Sequence, residues 1–125
     1  MNVPAELQYT SDHEWIRVEG DSAIIGITDY AQGELGDVVF VELPGVDEEF
    51  EKGDVAATIE AVKTVADLFL PLGGSIEAVN EQLDDTSELI NQDAYGEGWI
   101  LKVKMSNASE LDSCLSAEEY IASIS

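Results

Sequence analysis

The sequence predicts a mainly-β domain, a small flattened sandwich or barrel with short helices near residues 28–35 and at the C-terminus. Three observations predict it. Apolar and β-branched residues come in short runs rather than at helical spacing over long stretches. The pair Gly-Asp recurs at 20–21, 36–37 and 53–54, each time directly before such a run, as turn punctuation does. Helix signals are few and short. At 125 residues the chain has the length of one domain with a sizeable core.

Taken in order, Glu14-Trp15-Ile16-Arg17-Val18-Glu19 alternates, turns at Gly20-Asp21, and returns as Ser22-Ala23-Ile24-Ile25-Gly26-Ile27, a hairpin. Thr28 to Leu35 predicts a short helix, with Thr28 as N-cap and Gly36 closing it. Val38 to Leu43 is an apolar strand stopped by Pro44-Gly45. Val55 to Glu60 and Val65 to Leu70 then flank Lys63 as the arms of a second hairpin, and Pro71 ends the outgoing arm. Gly73-Gly74 turns the chain into Ser75-Ile76-Glu77-Ala78-Val79. Trp99 to Met105 places Leu101, Val103 and Met105 on one face and Lys102 and Lys104 on the other, read as a solvated face. A turn of helix is expected near Ser109 to Leu115. Ser116-Ala117-Glu118-Glu119 is a capping box, and Ala117, Tyr120, Ile121 and Ile124 follow at helical spacing, so a helix over about 117–124 should dock on the sheet.

Four lysines and one arginine stand against twenty-seven carboxylates, a net charge of -22. That balance argues against DNA, RNA or an anionic membrane surface as partner, because phosphate recognition needs clustered cations. It fits either a protein partner with a basic docking surface or adaptation for solubility and high salt. Cys114 is the single cysteine and His13 the single histidine, which leaves neither an internal disulfide nor a zinc site of the usual kind. We expect Cys114 to be a buried structural thiol and His13 a structural histidine beside Trp15. No run approaches the eighteen apolar residues of a membrane span, and the N-terminus has no basic region followed by an apolar one, so a cytoplasmic location is expected. No nucleotide-binding glycine loop or nucleophile elbow appears, which leaves a stand-alone enzyme without a constellation to carry it.

Lys63 is the residue the pattern singles out. An exposed hairpin lysine ordinarily serves solubility. A primary amine displayed on a rigid turn also suits enzymatic acylation, whereas a Schiff-base lysine would want an apolar pocket.

Several blocks together carry a family resemblance over nearly the whole chain: Tyr9-Thr10-x-x-His13-Glu14-Trp15, Gly26-Ile27-Thr28-Asp29-Tyr30-Ala31-Gln32 and Leu35-Gly36-Asp37-Val38-Val39-Phe40-Val41-Glu42-Leu43-Pro44. They continue with Glu60-x-Val62-Lys63, Glu77-Ala78-Val79-Asn80, Tyr95-Gly96-Glu97-Gly98-Trp99 and Leu115-Ser116-Ala117-Glu118-Glu119-Tyr120. In order and spacing these resemble the H proteins of the glycine cleavage system. The resemblance implies a single lipoyl-carrier domain over 1–125, of the barrel-sandwich hybrid type, with lipoic acid attached to Lys63 as N6-lipoyllysine. It implies a non-catalytic shuttle that takes an aminomethyl group from a pyridoxal-phosphate glycine decarboxylase to a tetrahydrofolate-dependent aminomethyltransferase. Electrons then pass to dihydrolipoyl dehydrogenase, and a lipoate ligase or lipoyltransferase installs the cofactor. Glu60 and Val62 belong to the attachment motif, and Glu14 and Asp67 match positions near the arm cleft, where they would contact an ammonium. An H-like protein that relays lipoyl groups to other lipoylated enzymes is the alternative. Where the family typically has Glu-Ser-Val-Lys-Ala or -Ser, this chain has Glu60-Ala61-Val62-Lys63-Thr64, and Leu68-Phe69-Leu70-Pro71 is more apolar than usual. Biotin carriers, which share the fold, place methionine on both sides of the lysine.

Overall fold

The computed structural model describes residues 2–124. The strands are β1 (Gln8–Tyr9), β2 (Glu14–Glu19), β3 (Ser22–Ile27), β4 (Val38–Glu42), β5 (Glu49–Phe50), β6 (Val55–Ala61), β7 (Val65–Phe69), β8 (Gly74–Val79) and β9 (Leu101–Met105). The helices are α1 (Asp29–Leu35), α2 (Gln82–Asp85), α3 (Leu89–Gln92) and α4 (Ala117–Ile124), with a 3-10 turn over Ala108–Ser113. Two antiparallel sheets form, one in the order β1-β2-β3-β9-β8-β5 and one in the order β4-β6-β7. The expected mainly-β sandwich with short helices is what the chain adopts.

Alternation explains the layering. On the small sheet Val41, Ile59 and Leu68 are buried while Glu42 and Glu60 are exposed, and on the large sheet Ile25, Leu101, Val103 and Ile76 are buried. These inward side chains merge into one core between the sheets, and burial of apolar surface is the main term holding the layers together. A second, smaller cluster of Leu7, Tyr9, Trp15, Ala117 and Tyr120 fastens α4 and the N-terminal strand to the outside of the large sheet. Trp15 lies flat across Gly26, its cross-strand partner, where a Cβ would sit 2.7 Å from the indole. Its Nε1 donates to the Ala94 carbonyl at 2.9 Å.

The caps behave as their chemistry predicts. Thr28 Oγ1 accepts from the Ala31 amide at 3.2 Å, and Gly36 ends α1 at φ +80, a conformation that a side chain would strain. At α4 the Ser116 amide donates to Glu119 Oε1 at 2.9 Å and the Glu119 amide to Ser116 Oγ at 3.2 Å, both halves of the capping box.

Three local expectations change. Ile121 is exposed, so the buried stripe of α4 is Ala117 and Tyr120, with Ile124 half-buried. Lys102 is not simply solvated: its Nζ lies 3.6 Å from Glu77 on the neighbouring β8 and 3.8 Å from Glu19 on β2, one strand beyond β3. Cys114 is half-buried against the rim of the core rather than enclosed, and burial raises its thiol pKa, which makes it a poor nucleophile. His13 is a satisfied structural histidine, as expected, with its partner in Tyr120: its Nδ1 is 2.9 Å from the Tyr120 hydroxyl, and its ring tilts against Tyr30.

Candidate functional site

The β6–β7 hairpin turns at Val62-Lys63-Thr64, where the Ala61 amide donates to the Thr64 carbonyl at 2.8 Å. All three tip residues are exposed. The turn does not project freely. The Val62 amide donates to the Asp37 carbonyl at 3.0 Å, which ties the tip to the segment between α1 and β4. Asn91 on α3 fixes that segment in turn: its Oδ1 accepts from the Val38 amide at 2.9 Å, and its Nδ2 donates to the Gly36 carbonyl at 2.8 Å and to Gln32 Oε1 at 3.0 Å. A Cβ on Gly36 would meet Lys63 Cε at 3.4 Å and Nζ at 3.8 Å, so the lysine stem runs over the C-terminal end of α1. Among the described residues Lys63 Nζ makes no hydrogen bond or ion pair, whereas Lys52 donates to Ser113 and Lys102 is paired.

Beside the stem lies a cleft of about 320 Å³ between α1 and the free edge of β7, walled by Ile27, Tyr30, Ala31, Leu35, Ile59 and Ala66. His13, Glu14 and Asp67 also line it. Glu14 is the unusual member. It is 2% exposed, its Oε1 accepts from the Thr10 hydroxyl at 3.1 Å, and its Oε2 has no hydrogen-bond partner of good geometry. Burial raises its pKa to about 8, with the Thr10 hydroxyl and the Phe69 amide pulling back and the Asp12 charge adding to the rise. A buried carboxyl with one unsatisfied oxygen is a place for a donor, and a cationic donor would ionise it.

Of the residues singled out from sequence, Glu14 and Asp67 do share this cleft. Asp67 is exposed, and its Oδ1 accepts a long hydrogen bond from Thr58 at 3.4 Å. Glu60 points outward on β6, and Val62 is exposed on the tip beside Lys63, so neither lines the cleft wall. Sequence reasoning missed Asn91, Thr10 and the carbonyl of Asp37. Only the short Gly36-Asp37 turn signal hinted that this segment would matter.

A free amine on a braced hairpin, with an apolar-walled cleft beside it, is the arrangement of a swinging-arm carrier domain, a class in which a prosthetic group hangs from a lysine. The tip and cleft fit an acyl chain with a polar end, because the amine is accessible and the walls are largely apolar with the Glu14 and Asp67 carboxyls among the lining groups. The family model described as Glycine cleavage H-protein matches residues 7–125. The glycine cleavage system H protein of Bacteroides thetaiotaomicron is 57% identical over 122 residues, covering 98% of this chain and 97% of that protein. The one from Halothermothrix orenii is 52% identical over 120 residues, covering 96% and 94%. A crystal structure of a glycine cleavage system H protein from Mycobacterium marinum superposes with a TM-score of 0.88 at 38% identity, covering 96% of this chain and 97% of that one. The chain belongs to the glycine cleavage H-protein family. Members of the family are lipoyl-bearing carriers, with lipoic acid on a lysine.

Proposed function

We propose that this chain is the lipoyl-carrying shuttle of the glycine cleavage system and that Lys63 is its attachment lysine. The observation that supports the reading best is the unpaired Lys63 amine at the braced hairpin tip, next to a cleft holding an unsatisfied carboxyl oxygen. Lipoic acid in amide linkage to Nζ would supply a redox-active dithiolane. Everything else falls to the chain's own side chains. The Asp37 carbonyl and Asn91 hold the root of the arm, and the lysine stem runs past Gly36, whose φ of +80 makes the turn there. The apolar cleft walls limit the approach of water. Glu14 Oε2 and the Asp67 carboxylate offer acceptors to an ammonium brought into the cleft, while Glu60 and Val62 act at the tip, where a modifying enzyme reads the turn.

On this reading the protein is not itself an enzyme. Its partners are a pyridoxal-phosphate glycine decarboxylase, a tetrahydrofolate-dependent aminomethyltransferase, dihydrolipoyl dehydrogenase and the enzyme that installs the lipoyl group. The cytoplasmic location belongs to the same proposal, supported by the bacterial relatives. Tethering raises the effective concentration of the carried group at each active site. Intact mass spectrometry after co-expression with a lipoate ligase tests it. One lipoyl addition on the wild type, absent from Lys63→Ala, is expected. No addition on the wild type, or one that persists in Lys63→Ala, overturns the assignment.

A further inference from the structure

Nine large hydrophobic side chains are exposed among the described residues, and six of them lie on the small sheet or its hairpin tip: Val39, Phe40, Val55, Val62, Val65 and Phe69. Register explains the grouping. Val41, Ile59 and Ala66 align on the inward face, whereas Phe40, Glu60 and Val65 align on the outward one, with Val39 in the irregularity at the start of β4. The outward face of a half-buried sheet ordinarily carries polar residues. Here Val39 is 56% exposed, Phe40 48%, Val62 75% and Val65 58%, all gathered around one lysine. Scattered surface hydrophobics need no explanation, but several exposed apolar side chains clustered at one place mark an interaction site. Acids are interleaved with it, Glu60 lying between Phe40 and Val65 and Glu42 and Asp67 flanking Thr58 in the next outward row, and the remaining cations Arg17, Lys52, Lys102 and Lys104 stand on other elements.

We infer that this outward face of β4-β6-β7 is the docking surface for the enzyme that acylates Lys63, and that this enzyme meets it with an apolar patch interspersed with arginine and lysine. The inference rests on Lys63 being the attachment site. Charge complementarity selects the partner's chemistry: a second copy of a chain with net charge -22 is repelled, as is an anionic lipid surface. Geometry selects the acylating enzyme among protein partners. Amide formation takes place at Nζ itself, so that enzyme must close around the tip. A standard interface buries about 800 Å² per partner, a disc of about 16 Å radius. Across three strands about 4.8 Å apart, Phe40, Val62 and Val65 fall within such a footprint centred on the tip, whereas Val55 and Phe69, farther along the strands, lie beyond it. Enzymes that act at the far end of the arm have no such need to touch its root.

The test is steady-state lipoylation of the purified protein by a lipoate ligase with lipoate and ATP, comparing the wild type with Phe40→Glu, Val65→Glu and a control on the other sheet, Val18→Glu. The two face variants should raise the KM for the carrier at least about tenfold, as loss of an interface anchor does, with kcat nearly kept and the control unchanged. Added salt should raise the wild-type KM. Circular dichroism and melting temperature confirm that each variant is folded, and Phe40→Ala serves if Phe40→Glu is not. An unchanged KM in folded face variants overturns the inference, as does a variant lipoylated normally whose lipoylated form fails only with the decarboxylase. Failure of the attachment reading looks different: the wild type itself would take no lipoyl group at Lys63.

Discussion

Replacing Glu14 by glutamine keeps the shape of the side chain and an acceptor for the Thr10 hydroxyl, and removes only the ability to ionise. The native carboxyl holds its proton up to about pH 8, whereas the ordinary value is 4.5. Between these limits the unfolded chain has released a proton that the native state keeps. Wild-type stability from this group is therefore fully present below pH 4.5 and falls as pH rises, by about 1.4 kcal/mol per unit, levelling off above pH 8. The full window sets a ceiling of about 5 kcal/mol, and relaxation with water entry at the cleft brings the expected loss to about 2–3 kcal/mol. Urea denaturation of wild type and Glu14→Gln at pH 5, 6, 7 and 8 measures it. Subtracting the two curves cancels the other carboxylates of this acidic chain. The variant should gain on the wild type with each pH step. A difference that does not change with pH, or one that narrows as pH rises, refutes the account of Glu14 as a carboxyl kept neutral by burial.

Two other side chains give sharp expectations. Tyr120→Phe keeps the stack on Tyr9 but removes the hydroxyl that meets His13 Nδ1 and Thr28 Oγ1. It should cost about 1–3 kcal/mol in thermal or urea denaturation, and an unchanged stability would mean that water replaces those bonds without penalty. Asn91→Ala removes three hydrogen bonds behind the hairpin root. Hydrogen exchange at the Val62 amide, which donates to Asp37, should accelerate by at least about tenfold while amides of β3 and β9 stay protected. Uniform acceleration across the sheet would instead mean that Asn91 acts on global stability.

Where local chemistry decides structure, the elements could be read directly. The strands of residues 14–19 and 22–27, the Thr28 and Gly36 caps and the Ser116–Glu119 box all stand as expected, because each is set by neighbours within a few residues. Helices α2 and α3 escaped notice because Glu81 and Glu88 at their N-termini make no capping bond and each helix has a single turn's worth of residues. The two-residue strands β1 and β5 exist through their partners, not through their own propensity. Lys63 could be placed at a tip by the two β-prone arms around it. That Glu14 would lose its solvent, that Asn91 would brace the root from more than fifty residues away, and that Phe40 and Val65 would align outward all depend on strand register and tertiary contact, which no local pattern encodes.

The tie between the Val62 amide and the Asp37 carbonyl bears on how a tethered group explores space. Were the tip a slack segment of ten residues, its own wandering would spread the anchor point over about 17 Å and dilute whatever it carries. Pinned as it is, the anchor contributes almost nothing to the wander. On the proposed attachment, the volume searched would be set by the lysine stem and the acyl chain, so the delivery rate would follow from their covalent length. Slackening the root would then dilute the carried group at a docked partner even with the length of the arm unchanged.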